Sequence, residues 1–141
     1  MIVQSFYLDD WDWFVTVYYA VDTYYIQEIL ESLEEIGCSD KTLDEIAESF
    51  EKQQYDGGLT YSNLKGRCSV IIIGLTSSPA EFQNTFDHEK GHLAMHISDV
   101  DGIDPFSEEF QYLTGEIGQK MFPIAKNFMC EHCRIKLKGE E

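Results

Sequence analysis

The chain has 141 residues, of which 43% are hydrophobic, and this is enough for one globular domain with a buried core. Its 10 Lys and Arg residues face 26 Asp and Glu residues, giving a formal charge of −16. Such a surface repels a phosphate backbone, so we expect no direct binding to nucleic acid. No basic segment precedes an apolar run at the start, and the longest apolar run is too short to cross a bilayer, so we expect a soluble, cytoplasmic protein with no membrane partner.

The first half of the chain predicts two strands followed by two helices. Residues 1–8 and 13–21 are rich in β-branched and aromatic residues and are expected to pair. From Asp22 the apolar residues recur at helical spacing up to Ile36, and Gly37 would end that helix. A second amphipathic helix runs to Phe50, with Thr42 and Glu45 as its capping box.

The second half begins with a turn at Asp56-Gly57-Gly58 and two strands, 59–62 and 68–75. The triplet Ser78-Pro79-Ala80, followed by Glu81, is a typical helix start, and Gly102 should end that helix. Ser107 would cap the last helix, which Pro123 should kink or stop. The sequence therefore predicts an α+β fold, a small mixed or antiparallel sheet packed with helices, in a single domain over 1–141 whose residues 130–141 form a flexible tail.

The most informative motif is His88-Glu89-Lys90-Gly91-His92, an H-E-x-x-H pattern within the third predicted helix. Residues i and i+4 of a helix share one face, so both imidazoles can bind one Zn²⁺, and Glu89 lies beside them as a candidate general base. A third protein ligand is still required. His96 is eight residues from His88, about 12 Å along the helix, which is too far, so we expect it on the surface or behind the ligands.

Glutamates at the start of the next helix are better candidates for the third ligand, since a loop containing Gly102 and Pro105 can fold that helix back. Glu108 is the first choice, and Glu109 and Glu116 are the alternatives. The pattern of H-E-x-x-H, a short loop and a glutamate on the following helix resembles the gluzincin metallopeptidases. The stretch 82–118 is also similar to small peptidase-like proteins of phages and prophages of gut bacteria.

That resemblance implies a zincin-like domain in the bacterial host cytoplasm that hydrolyses a peptide or protein substrate with zinc-activated water. It also implies that the strand before the histidine helix, residues 68–75, aligns an extended substrate. Two other interpretations stay open: an inactive relative that keeps the fold, and an acidic phage protein that binds a host or virion partner. The sequence names neither a substrate nor an oligomeric state.

The four cysteines are expected to be thiols or metal ligands rather than disulfides. Cys130 and Cys133 form a C-x-x-C pair that is half of a structural zinc site, which Cys38 or Cys68 could complete. A plain reduced pair is the alternative. No strand-turn-helix pattern marks the pair as thioredoxin-like.

Overall fold

The structure is a computed structural model that describes residues 1–22, 26–52 and 57–140, without the side chains of residues 134 and 137–140. Strands β1 (Ile2–Leu8) and β2 (Trp13–Val21) come first, then helices α1 (Ile26–Glu35) and α2 (Asp40–Glu51). Strands β3 (Gly58–Asn63) and β4 (Cys68–Gly74) precede helices α3 (Pro79–Asp101) and α4 (Glu108–Ala125). A 3-10 turn (Lys126–Phe128) leads to α5 (Glu131–Glu140), where the sequence predicts a flexible tail.

The four strands form one mixed sheet in the order β1-β2-β4-β3. Two antiparallel hairpins, β1-β2 and β3-β4, are joined by a parallel pairing between β2 and β4. The prediction of an α+β fold with a small mixed sheet is confirmed. The turn predicted at Asp56 and the helix start predicted from Asp22 lie partly outside the described residues.

Each face of the sheet is covered by a different helix pair. One core joins the sheet to α3 and α4, with Val15, Val17 and Ile71 fully buried in it. The other joins the opposite face to α1 and α2 through Val70 and Ile72. Because side chains alternate along a strand, neighbouring residues of β4 serve the two cores. This explains why β4 is a continuous apolar run, as expected of an interior strand.

An irregularity in β2 shifts the register between Tyr18 and Val21, which pair with Ile72 and Gly74. Three steps along β2 oppose two along β4, so β2 carries one extra residue, as in a β-bulge. Ala20 lies in this stretch with φ of 57°. The extra residue turns Val21 to the α1-α2 side, whereas Tyr19 packs on the α3-α4 side.

Capping side chains fix the ends of the helices that carry the candidate site. The Ser78 hydroxyl accepts a hydrogen bond from the Glu81 backbone N–H at 3.1 Å, and Ser107 caps α4 in the same way. Gly102 ends α3 with φ of 68°. These three predictions are confirmed. Helix α2 is capped by Ser39 rather than by Thr42, because the Ser39 hydroxyl accepts from the Thr42 N–H.

Pro123 lies inside α4 and the helix continues to Ala125, so this proline does not end it.

Among the described residues, no helix is both long enough and apolar enough to cross a membrane.

Candidate functional site

The two motif histidines lie on the exposed side of α3, one helical turn apart. Their Nε2 atoms are 3.1 Å apart and their ring centroids 4.7 Å apart. Two nitrogens bound to one tetrahedral Zn²⁺ at about 2.0–2.1 Å would be about 3.3 Å apart. His88 and His92 therefore already present two corners of such a tetrahedron, and the same distance suits a hydrogen bond between the two rings. The spacing of these two nitrogens fits a zinc ion, and the pair supplies two of its protein ligands.

Glu89 lies on the buried side of this pair, with only 3% of its surface exposed. Burial raises the pKa of its carboxyl group, and the nearby His92 and His88 oppose that shift. Ligand atoms of His88, Glu89 and His92 all lie within 4.8 Å of one another. Within the described part of the chain, no other group of three His, Cys, Asp or Glu residues could hold a metal ion.

Strand β3 packs directly against this part of α3. The Thr60 hydroxyl donates to the Glu89 backbone carbonyl at 3.1 Å and lies 3.5 Å from the carboxylate oxygen Oε1. Gly58 makes the close approach possible, because a Cβ there would lie 2.8 Å from Glu89 Cγ. A Cβ on Gly57, whose φ is 86°, would likewise lie 2.8 Å from Thr85 Oγ1, one turn before Glu89. The two glycines let the backbone of β3 hold the Glu89 side chain against the helix.

A cavity of about 450 Å³ lies between α3 and β3. It opens beside the edge strand β3, and not beside the strand 68–75, as was predicted from the sequence. The reason is the strand order: β4 is hydrogen-bonded to β2 on one side and to β3 on the other, so no substrate can add to it. The outer edge of β3 has no strand partner among the described residues. The cavity is lined by Gly58, Leu59, Thr60, His88, Glu89, His92 and His96.

The structure does not bring Glu108 to this group. A Cβ on Gly118 of α4 would lie 3.6 Å from Lys90 Nζ, so that part of α4 lies at the level of the motif. Glu108 is ten residues earlier in α4, about 15 Å away along the helix axis. Lys90 is also two positions from His88, about 200° around α3, so α4 packs on a different side of that helix.

The other two candidate third ligands, Glu109 and Glu116, belong to the same helix and are also outside the group. Neither lines the cavity. The sequence pattern could not reveal this, because the six-residue connection 102–107 shows that α4 folds back but not which side of α3 it covers. Glu108 as a zinc ligand stays a prediction that its placement here does not support.

Sequence reasoning missed two contributors to the site, Thr60 and Gly58. The double glycine at 57–58 was the available signal, since glycine in a strand often marks a close approach of two backbones. His96 was expected at the surface or behind the ligands. It is half-buried and lines the cavity, with its ring centroid 6.4 Å from that of His92.

The cysteines do not form the second metal site considered from the sequence. Cys38 is buried in the core beneath α1 and α2, and no cysteine belongs to a potential metal group in the described residues. Hydrogen bonds from the backbone and the thiol of Cys133 lower the pKa of Cys130, which is exposed. The two thiols therefore interact with each other.

No family model matches the chain, and comparisons with curated proteins and with solved structures gave no significant match.

Proposed function

We propose that this chain is a zinc-dependent hydrolase with an H-E-x-x-H site that cleaves peptide bonds. The observation that carries the proposal is the pair of Nε2 atoms of His88 and His92, 3.1 Å apart beside the buried carboxylate of Glu89. If the two histidines lay at the surface by chance, a strand would have no reason to pack closely, through a glycine, on the residue between them. Gly58 and Thr60 make this close contact with Glu89.

His88 and His92 would hold the zinc ion. When bound, zinc supplies Lewis-acid polarisation of a carbonyl and lowers the pKa of water to about 7. Glu89 acts as the general base that accepts a proton from water and returns it to the leaving amine. Its place on the buried side of the pair, with Thr60 beside one carboxylate oxygen, keeps it directed at the cavity. The imidazoles and this carboxylate are the chain's own contribution to the reaction.

The substrate class follows from the edge of β3. An extended peptide can add to the free edge of a sheet through backbone hydrogen bonds, and β3 offers such an edge along the cavity. Gly58, Leu59 and Thr60 line it. A peptide or protein segment is therefore the proposed substrate, and the resemblance to phage peptidase-like proteins adds the cytoplasm of a bacterial host as the proposed location.

The experiment combines metal analysis and hydrolysis on the same preparations. Wild type and Glu89→Gln are loaded with zinc, their zinc content is measured, and cleavage of a peptide library is followed by mass spectrometry. We expect one zinc per chain in both, and a loss of cleavage on the order of a hundredfold in Glu89→Gln, because the amide cannot accept the proton. His132→Ala, an exposed histidine on α5, is the matched control and should match wild type in both measurements.

Each of the other outcomes would indicate a different function or mechanism for this protein. Cleavage that survives in Glu89→Gln excludes Glu89 as the base. Zinc binding without cleavage by wild type indicates an inactive relative. Wild type that binds no zinc contradicts the proposal and favours an acidic protein that acts by binding a partner, with a charge of −16 available for a basic segment.

A further inference from the structure

A chain of hydrogen bonds runs from the core of the protein to the rim of the cavity. The indole Nε1 of Trp13 in β2 donates to Ser69 Oγ in β4 at 2.8 Å. Ser69 Oγ lies 2.6 Å from Ser62 Oγ in β3, and Ser62 Oγ lies 2.6 Å from Nδ1 of His96 in α3. These hydrogen bonds thus link three strands to the helix that carries the motif histidines.

The buried end fixes the direction of the two bonds made by Ser69. An indole nitrogen can only donate, so Ser69 accepts from Trp13 and keeps its own hydrogen to give. When Ser69 donates it to Ser62, the arrangement that pairs every hydrogen within this group has Ser62 donating to His96 Nδ1. In the reverse order the Ser69 hydrogen would have none, although Ser69 is only 2% exposed. Leaving such a group unpaired costs about 1–3 kcal/mol.

The fully paired arrangement has a consequence for the tautomer of His96. Because Nδ1 accepts a hydrogen bond, the ring is neutral and carries its hydrogen on Nε2. Among the described residues, nothing bonds to that second nitrogen. His96 lines the cavity, so its free N–H is the part of the ring left for a molecule bound there.

We infer that His96 is a positioning residue that donates a hydrogen bond from Nε2 to an acceptor oxygen of the substrate, a peptide carbonyl or a carboxylate. This role rests on the proposed function. It is not part of the reaction itself, because His96 lies one turn beyond His92, about 6 Å along the helix. An extended peptide advances about 3.3 Å per residue, so the acceptor belongs to the second residue from the atom held beside His92.

The tautomer can be measured directly in the metal-free protein. Long-range ¹H–¹⁵N NMR spectra distinguish a ring protonated at Nε2 from one protonated at Nδ1. We expect His96 of wild type to be the Nε2–H form at neutral pH, and Ser62→Ala to lose that preference. Wild type in the Nδ1–H form would overturn the inference, whatever its zinc content.

The binding role is tested on zinc-loaded protein with two probes of different length. Acetohydroxamate is too short to reach His96, whereas N-acetyl-dialanyl hydroxamate carries a carbonyl two residues from its metal-binding group. His96→Ala should weaken the longer probe by roughly three- to tenfold, the contribution of one hydrogen bond, and leave acetohydroxamate unchanged. His96→Gln should recover part of the loss, since its amide nitrogen lies near the position of Nε2.

The outcomes separate this inference from the function on which it rests. Equal weakening of both probes, or of neither, in His96→Ala overturns the positioning role. Failure of wild type to bind zinc instead contradicts the proposed function, and the tautomer of the metal-free protein still reports on the hydrogen-bonded chain.

Discussion

Gly58 offers the sharpest test of how the site is built, because β3 and α3 touch there without a side chain between them. A Cβ at this position would lie 2.8 Å from Glu89 Cγ and 2.8 Å from the carbonyl oxygen of Ile72. Ordinary contacts of a Cβ are 3.4–4 Å, so the neighbours would have to retreat by at least 0.6 Å, the difference between 3.4 and 2.8 Å. The Glu89 side chain can rotate, but the Ile72 oxygen belongs to the backbone of β4 and cannot.

We therefore expect Gly58→Ala to destabilise the protein by about 1–3 kcal/mol, the usual cost of overpacking. For a domain of this size this corresponds to a melting temperature lower by about 4–12 °C. The assay is thermal unfolding followed by circular dichroism. Gly115→Ala is the matched control: it makes the same change inside α4, where no heavy atom lies within 4 Å of the new Cβ. Alanine favours a helix over glycine by about 1 kcal/mol, so the control should melt slightly higher.

A second substitution separates the two contacts. In a Glu89→Ala background only the clash with Ile72 remains, so Gly58→Ala should cost less than it does in wild type. If Gly58→Ala is as stable as Gly115→Ala, then β3 does not press on α3 and does not hold Glu89 in place.

Three further predictions concern an ion pair, the end of α3 and the zinc ligands. Arg67 donates two hydrogen bonds to the Asp101 carboxylate, at 3.0 and 3.1 Å, so Arg67→Lys should lower the free energy of unfolding in urea by about 1 kcal/mol, and an unchanged midpoint would refute the contribution of this fork. Gly102→Ala should cost about 1 kcal/mol in the same assay because φ there is 68°, and a stabilised variant would show that this cap relaxes freely. Glu108→Ala should change zinc affinity far less than His92→Ala, as judged by isothermal titration calorimetry, whereas equal losses would identify Glu108 as a ligand after a movement of α4.

Local signals in the sequence predicted the local features well. The capped starts at Ser78 and Ser107 and the end at Gly102 depend on residues a few positions apart, and all three are found. The core stripe of α3, with Phe82 and Leu93 buried, follows from the same helical spacing that pairs His88 with His92.

Features that join distant segments were not predictable in the same way. The parallel pairing of β2 with β4 makes β3 the edge strand beside the cavity, and no spacing along the chain contains that information. The side of α3 that α4 covers decides the position of Glu108, and it depends on the packing of Lys90 against Gly118. The bond between Ser62 and His96 joins residues 34 positions apart on different elements.

We propose that His88 and His92 bind one metal ion together. The most direct test is a crystal structure of the zinc-loaded protein with anomalous diffraction recorded on both sides of the zinc absorption edge. We expect a single peak per chain, about 2.0–2.1 Å from Nε2 of both histidines. A protein that crystallises with zinc and shows no peak there, or only a peak at Cys130 and Cys133, would contradict the claim.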